Sequence, residues 1–331
     1  MKIAMFSTKP YDQESFETYN DHPNLNITFL ETHLNANTVE LTKGFHAVCI
    51  FVNDKVDVNV IRQMSDNGIR LIALRCAGFN NVDLQAAKEN NIKVVRVPAY
   101  SPESVAEHTM ALILTLNRKT HKAYNRVREG NFSLNRLIGF NLYQKTVGVI
   151  GTGKIGAAFC RILKGFGCNI LAFDPYESEQ LVKLGVQYHP LSVVLAQSDI
   201  VSLHCPLTTN TKHLINQNTI KLMKEGVMLI NTSRGALINT ADVIEGLIQQ
   251  KIAYLGIDVY EQEEHLFFED LSERIIQDDY ILRLNSFPNV LITAHQAYFT
   301  KEAMQQITTT TLKNIIAFDS GQKLKNEVIA A

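Results

Sequence analysis

The stretch Val147-Gly148-Val149-Ile150-Gly151-Thr152-Gly153-Lys154-Ile155-Gly156 decides the fold of this chain. Its apolar start predicts a short buried strand, the glycines at 151, 153 and 156 predict a tight turn, and Ala157–Leu163 continues as a helix. An acidic residue, Asp174, ends the next apolar run 18 residues after Gly156. This pattern is typical of a dinucleotide-binding unit, because the turn lets a pyrophosphate approach the backbone and the helix N-terminus supplies amide donors. A glycine turn that serves packing alone is the alternative interpretation.

The acidic residue also predicts which dinucleotide binds. Asp174 would accept hydrogen bonds from the adenine-ribose hydroxyls, and its carboxylate would repel a 2′-phosphate. The Pro175-Tyr176 that follows offers no arginine to neutralise such a phosphate. We therefore expect NAD rather than NADP as the cofactor.

Short β-rich runs alternate with helical stretches on both sides of this unit, which predicts parallel sheets covered by helices. The predicted strands of the first series are Lys2–Phe6, Ile27–Leu30, Ala47–Phe51, Ile69–Leu74 and Val94–Val97. Those of the second series are Thr146–Ile150, Ile170–Phe173, Ile200–Leu203, Val227–Ile230, Ala253–Ile257 and Val290–Thr293. Between the series, Ser101-Pro102-Glu103 predicts the start of one long helix that runs to Glu129. The fold class is α/β, with two doubly wound parallel-sheet domains.

The composition excludes several classes of protein. The 331 residues are 46% hydrophobic, and 32 basic side chains balance 33 acidic ones, so disorder and a nucleic-acid partner are not expected. The apolar runs are shorter than the roughly 20 residues of a membrane span, and the N-terminus turns polar too early for a secretory signal. The five cysteines form no Cys-x-x-Cys pair, and adjacent strand residues such as His204-Cys205 point to opposite faces. We expect a cytoplasmic protein with free thiols, without a metal, a membrane or a nucleic acid as partner.

Three successive predicted strands end in chemically useful side chains. Arg234 follows the strand at 227, a group of acids with Glu261, Glu263 and Glu264 follows the strand at 253, and His295 follows the strand at 290. An arginine fork can hold a carboxylate, a histidine can transfer a proton, and a carboxylate can orient that histidine. These are the groups that oxidation or reduction of a hydroxy acid needs. Spacing does not choose among the three glutamates, and Arg234 could be part of a solvated turn.

Several segments give the chain a resemblance to a known family. They are Leu74–Asp83, Val97–Tyr100, the glycine turn, Phe173–Pro175, Leu203–Thr208, Asn231–Gly235, Asp258–Glu261 and His295–Tyr298. Together they resemble the D-isomer specific 2-hydroxyacid dehydrogenases over nearly the whole chain. Two further segments, Leu266–Asp270 and Ile276–Asp279, are similar to the branch of that family that acts on lactate.

The resemblance implies a role for individual residues. Arg234 would bind the substrate carboxylate, His295 would be the acid/base, and Glu263 would pair with it. The implied substrate contacts are Arg75, Ala77, Gly78, Tyr100 and Tyr298. The implied NAD contacts are Gly151, Gly153, Lys154, Ile155, Gly156, Asp174, Cys205, Pro206, Thr211, Thr232, Ser233, Arg234 and Asp258. Relatives often carry an asparagine at the position of Thr211, so at this position the implied NAD contact would be made by a threonine side chain instead.

The resemblance also implies an architecture and an activity. An NAD-binding Rossmann domain, residues 101–298, would be inserted in a flavodoxin-like substrate domain made of residues 1–100 and 299–331, with a closing active-site cleft. The expected reaction is the reversible NADH-dependent reduction of pyruvate to D-lactate. Alternatives are a bulkier 2-oxo acid as substrate, or an NAD-sensing protein similar to the family's corepressors. A homo-oligomer, either a dimer or a dimer of dimers, is expected.

Overall fold

The computed structural model describes residues 1–330, apart from the side chain of residue 265. The described chain divides into two compact units. Unit 1 combines residues 1–101 with the segment from Phe299 onward, and unit 2 is Pro102–Tyr298. Each unit contains one sheet of parallel strands with helices packed against it, so the predicted α/β class is confirmed.

The elements are named in chain order. The strands are β1 (Lys2–Met5), β2 (Asn26–Phe29), β3 (Ala47–Ile50), β4 (Leu71–Leu74), β5 (Lys93–Arg96), β6 (Thr146–Ile150), β7 (Asn169–Phe173), β8 (Gln187–Tyr188), β9 (Ile200–Leu203), β10 (Val227–Asn231), β11 (Ile252–Ile257) and β12 (Val290–Ile292). The helices are α1 (Pro10–Tyr19), α2 (Val58–Asp66), α3 (Leu84–Glu89), α4 (Pro102–Arg118), α5 (Thr120–Arg128), α6 (Lys154–Gly165), α7 (Glu179–Leu184), α8 (Leu191–Gln197), α9 (Gln217–Leu222), α10 (Thr240–Ile248), α11 (Asp279–Ser286) and α12 (Lys301–Asp319). Short 3₁₀ turns cover Val39–Thr42, Gly235–Leu237 and Glu263–His265.

Unit 1 has a five-stranded sheet in the order β2-β1-β3-β4-β5, which is the flavodoxin-like order. One face carries a core that includes Ile50, Ile61 and Ile72, and the other a core that includes Phe16 and Leu312. Both faces are therefore covered, as a parallel sheet requires.

Unit 2 has a seven-stranded sheet in the order β12-β11-β10-β9-β6-β7-β8. All of its strand pairs are parallel. The last residues of six strands form one row of register partners: Phe173, Ile150, Leu203, Asn231, Ile257 and Ile292. This row brings the six loops that follow those strands to a single edge of the sheet.

One local prediction is wrong, and one short strand was not predicted. The expected helix from Pro102 to Glu129 is two helices, because Lys119 adopts a left-handed φ of 52° that ends α4. The two-residue strand β8 is too short to leave an alternating pattern, and we did not predict it. Asn239 caps the start of α10, since its side chain accepts a hydrogen bond from the backbone N of Asp242. No helix within residues 1–330 is long and apolar enough to cross a membrane.

Candidate active site

The predicted site residues of unit 2 follow the register row at one sheet edge. Directly after the row come Asp174 after β7, Gly151 after β6, His204 after β9, Thr232 after β10, Asp258 after β11 and Thr293 after β12. Ligands of open α/β sheets bind outside the carboxyl ends of the strands. The backbone topology therefore gathers the chemically useful side chains where a ligand is expected.

The glycine turn has room for a ligand at one of its three glycines. A Cβ on Gly151, whose φ is 94°, would lie 2.6 Å from the backbone N of Cys205, and a Cβ on Gly156 would lie 2.0 Å from the Gly151 carbonyl oxygen. At Gly153 a Cβ would meet nothing within 4 Å. The outer glycines are thus required by packing, while the middle one borders open space. Because the first amides of α6 have no acceptor within the helix, this cradle fits a pyrophosphate.

Asp174 is held in place beside this turn. Its Oδ2 accepts a hydrogen bond from the backbone N of Thr152 at 2.6 Å, and its Oδ1 accepts one from that of Tyr176 at 2.9 Å. The Tyr188 hydroxyl in turn donates to Thr152 Oγ1 at 3.0 Å. Each carboxylate oxygen keeps a further lone pair, so the group fits a ribose diol as an acceptor.

His295 and Glu263 form the clearest acid/base arrangement. His295 Nδ1 lies 2.9 Å from Glu263 Oε1, and Glu263 Oε2 accepts a hydrogen bond from the backbone N of Tyr260 at 2.9 Å. The two side chains are 18% and 22% exposed, so the pair is largely shielded. With Nδ1 on the carboxylate, Nε2 is the ring nitrogen left to exchange a proton with another group. The sequence pattern left three glutamates open, and the structure brings Glu263 to the imidazole.

Asp258 fixes the turn that carries His295. Its carboxylate is 1% exposed, and it accepts from Thr293 Oγ1 at 2.5 Å, from the Gln296 amide at 2.9 Å and from the Ala297 amide at 2.8 Å. The Asp258 carbonyl accepts from the His295 amide at 2.7 Å. The strained φ of His295, 52°, is thus held by hydrogen bonds on both sides. Both carboxylate oxygens are already engaged, so the predicted NAD contact of Asp258 would have to share them.

Three side chains lie next to this pair, and Tyr298 is the one of them that was predicted as a site residue. His108 Nε2 on α4 lies 3.0 Å from Thr293 Oγ1 and 3.4 Å from Asp258 Oδ1. The Phe268 and Tyr298 rings lie 5.9 and 6.5 Å from the His295 ring, and Phe268 has a left-handed φ of 70°. Tyr298 was predicted from the family resemblance. Phe268 lies in the segment Leu266–Asp270 that carries part of the family resemblance, but no spacing rule marks a loop residue with positive φ, so no role was predicted for it.

Arg234 lies half-buried in the loop after β10. Its carbonyl accepts from Asn231 Nδ2 at 2.9 Å, and its own Nη1 donates to the Ser233 carbonyl at 2.7 Å. A Cβ on Gly235 would lie 2.1 Å from the Tyr260 carbonyl carbon. The backbone beside Arg234 therefore rests directly on the loop that carries Glu263.

Several predicted cofactor residues use their side chains within the protein. The Thr211 hydroxyl donates to the Pro206 carbonyl at 2.6 Å, and Thr232 Oγ1 lies 2.8 Å from Thr109 Oγ1. Ser233 Oγ donates to the Cys205 carbonyl at 2.8 Å. Burial raises the pKa of the Cys205 thiol to about 11, so it stays protonated near neutral pH. These hydroxyls brace the loops after β9 and β10, and their side chains present few free donors.

The residues predicted for unit 1 differ in their surroundings. Ala77, Gly78 and Tyr100 are half-buried after β4 and β5. Arg75 is 2% exposed, and its guanidinium donates to Asp12 at 3.2 and 3.4 Å and to the Ser7 carbonyl at 2.6 Å. Arg75 Nη1 has no partner in the described part of the chain. A direct substrate contact is therefore less well supported for Arg75 than for the other residues.

A metal is not indicated by the side chains that the structure describes. Among residues 1–330, apart from the side chain of residue 265, no group of three His, Cys, Asp or Glu side chains is placed to hold a metal ion.

Comparison with known proteins points in the same direction. A sequence model of the D-isomer specific 2-hydroxyacid dehydrogenase NAD-binding domain matches residues 110–297. The chain is 54% identical to a 2-hydroxyacid dehydrogenase homolog of Haemophilus influenzae, with 99% of both chains covered. It is 52% identical to the D-lactate dehydrogenase of Escherichia coli, over 99% of this chain and 100% of that one. The structure of Aquifex aeolicus D-lactate dehydrogenase, complexed with NAD and lactic acid, is similar with a TM-score of 0.87, 35% identity and 99% of both chains covered.

Proposed function

The chain belongs to the D-isomer specific 2-hydroxyacid dehydrogenase family, and on that premise we propose that it is an NAD-dependent D-lactate dehydrogenase. The observation that carries the proposal is the His295–Glu263 pair, 2.9 Å apart, at the same sheet edge as the glycine turn and Arg234. The proposed reaction reduces pyruvate to D-lactate and is reversible. When bound, NADH supplies the hydride.

We propose that His295 moves the proton. In reduction its Nε2 would donate a proton to the substrate oxygen, and in oxidation the neutral ring would remove one. Glu263, fixed by the Tyr260 amide, keeps the proton of Nδ1 directed at itself and stabilises the positive charge on the ring. The rings of Phe268 and Tyr298 reduce the access of water to this pair.

Arg234 is the proposed anchor for the substrate carboxylate. Its planar guanidinium can donate two parallel hydrogen bonds to a carboxylate, and its fixed charge polarises the adjacent 2-oxo group. Ala77, Gly78 and Tyr100 remain proposed substrate contacts on the strength of the sequence resemblance. For Arg75 a supporting role is better favoured, because its buried ion pair with Asp12 fixes the backbone that leads to Ala77.

The cofactor is held by the glycine turn, the first amides of α6 and Asp174. The open space at Gly153 would admit the pyrophosphate, and Asp174 would accept from the ribose hydroxyls. A 2′-phosphate would meet the Asp174 charge, so NADH is the proposed reductant rather than NADPH. The remaining predicted contacts lie in the loops after β9, β10 and β11.

A spectrophotometric assay with NADH and several 2-oxo acids tests this function. We expect the highest kcat/KM with pyruvate, compared with 2-oxobutyrate, 4-methyl-2-oxopentanoate and phenylpyruvate. A higher value with a bulkier acid would support the first alternative, a dehydrogenase for larger substrates. Tight NADH binding without turnover of any acid would contradict the enzyme and favour the NAD-sensing protein.

The same proposal includes a homo-oligomer in the cytoplasm. The segment from Tyr124 to Tyr143 exposes large apolar side chains, and α5, which overlaps its start, has no buried residue. The exposed fractions of Phe132, Leu134 and Ile138 are 74%, 82% and 84%. Such a patch is typical of a protein–protein interface, and a second copy of the chain is the occupant that the family implies. Light scattering of the purified protein would give its mass in solution.

A further inference from the structure

The loop after β11 carries a second glutamate with partners of its own. Glu261 Oε1 lies 2.5 Å from His213 Nε2, and Glu261 Oε2 accepts from the Thr240 amide at 3.2 Å and from Thr240 Oγ1 at 2.9 Å. The side chains of His213 and Glu261 are 33% and 24% exposed, so the pair is partly shielded from water. Glu261 competed with Glu263 in the sequence pattern, and the structure gives it a separate set of contacts.

These contacts join three loops that each carry proposed site residues. His213 belongs to the loop after β9, Thr240 follows the loop after β10, and Glu261 lies in the loop after β11. The His213 amide also donates to the Ala236 carbonyl at 2.8 Å, although His213 has a left-handed φ of 52°. A residue in that conformation is held by its surroundings, which indicates that the three loops are fixed together here.

Packing connects this cluster to the proposed chemistry. A Cβ on Gly235 would lie 2.1 Å from the Tyr260 carbonyl and 2.4 Å from the Glu261 amide, so the backbone next to Arg234 touches residues 260–261. The Tyr260 amide in turn donates a hydrogen bond to the Glu263 carboxylate, so Tyr260 contacts both Gly235 and Glu263. A shift of Glu261 would therefore displace both Arg234 and Glu263.

We infer that His213 and Glu261 are positioning residues, whose hydrogen-bonded pair, with its Thr240 contacts, fixes how Arg234 and Glu263 are presented to the substrate. The inference rests on the proposed function, because it uses the roles proposed there for Arg234 and Glu263. Misplacement of a substrate-holding group by about 1 Å can lower the rate of a reaction by about 10²-fold. Loss of the pair should thus weaken use of the 2-oxo acid more than cofactor binding, which depends on the glycine turn and Asp174.

The experiment compares His213→Gln and Glu261→Gln with a control at the opposite sheet edge. There Lys224 Nζ pairs with Asp199 Oδ1 at 2.9 Å, with 40% and 31% of the side chains exposed, and Asp199 precedes β9. In both test variants we expect the 2-oxo acid KM to rise about tenfold or more, with an NADH Kd within about twofold of wild type. Asp199→Asn should lower the Tm and leave KM and kcat unchanged.

A fall in Tm without a change in KM for both test variants would overturn the inference, because the pair would then act on stability alone, as the control does. If Glu261→Gln does not fold, His213→Gln alone tests the inference. The His213 side chain is the more exposed of the two, so its replacement should disturb folding less. The series uses whichever 2-oxo acid the wild-type protein reduces best. If pyruvate is not the substrate, the wild-type assay reveals it, and the positioning test still stands with the acid that the wild type does reduce.

Discussion

Arg234 offers a planar pair of N–H donors that a single ammonium group cannot reproduce. Arg234→Lys keeps the charge and loses the bidentate geometry. We expect kcat/KM for pyruvate to fall by about 10²-fold or more, since a charge-assisted pair at the reacting group contributes several kcal/mol. NADH affinity, measured by fluorescence titration, should change little. A lysine variant with near wild-type kcat/KM would show that Arg234 does not hold the carboxylate.

Glu263 contributes a charge as well as a hydrogen bond to His295. Glu263→Gln keeps an acceptor at a similar position and removes the negative charge that stabilises the imidazolium. Because the proposed mechanism uses the charged ring in reduction and the neutral ring in oxidation, pyruvate reduction at neutral pH should fall more than lactate oxidation. The measurement is the ratio of the two initial rates in wild type and variant. An unchanged ratio would remove Glu263 from this role, and Asp199→Asn, at the opposite edge of the sheet, serves as the control.

Single residues also mark what the sequence could predict. His295 and Arg234 can be predicted as site residues because strand ends can be located from apolar runs, and the carboxyl ends of parallel strands share one edge of the sheet. The choice of Glu263 over Glu261 is not visible, since the two lie two residues apart in an irregular loop and differ only in contacts to Tyr260 and Thr240. The burial of Arg75 against Asp12 is equally hidden, because the two are 63 residues apart in the chain.

The strand–turn–helix element offers a matched pair of glycine substitutions. Gly153→Ala places its methyl group in open space, so the Tm should stay near that of wild type while NADH binding weakens. Gly151→Ala meets the backbone of Cys205 at a φ of 94° and should lower the Tm as well. Thermal unfolding and NADH titration of both variants separate the two effects. Unimpaired NADH binding by Gly153→Ala would mean that the pyrophosphate does not approach this glycine.

Elements with strong periodicity or caps were predictable, and elements set by tertiary contacts were not. The glycine turn, most strands and the Asn239 cap follow from local chemistry alone. The break between α4 and α5 does not, because lysine at position 119 is a good helix former and its left-handed conformation has no local cause in the sequence. Likewise β8 exists because Gln187 and Tyr188 pair with Leu171 and Ala172.

The folded molecule as a whole should lose stability in mild acid through His204. Burial lowers the pKa of His204 to about 3, and its Nδ1 has no hydrogen-bond partner among the described residues. In the unfolded chain an imidazole titrates near 6.5, so the unfolded state alone takes up this proton as the pH falls from about 7 toward 3. Stability therefore falls with pH in that window, by at most about 2 kcal/mol between pH 7 and pH 5 for this group.

Urea unfolding at pH 7 and pH 5 checks this dependence. His204→Asn has no titrating group and keeps a polar partner for Ser202, which lies 2.9 Å from His204 Nε2. The variant should lose less stability than wild type between the two pH values. Equal losses in both proteins would mean that His204 is protonated in the folded state as readily as in the unfolded chain.

At the scale of the whole molecule, the α/β class and the kind of chemistry follow from the order of motifs along the chain. The division of the chain at residues 101/102 and 298/299 comes from contacts that no local pattern encodes. The register row from Phe173 to Ile292 connects the order of motifs along the chain to the folded molecule, since it places separate strand ends at one edge of the sheet.

The configuration of the product tests the central proposal most directly. The purified protein is incubated with pyruvate and NADH, and the lactate formed is separated on a chiral column. The proposed function predicts D-lactate as the product, at a rate that falls by about 10²-fold or more when His295 is replaced by glutamine. L-lactate, or no lactate from a folded protein that binds NADH, would contradict it.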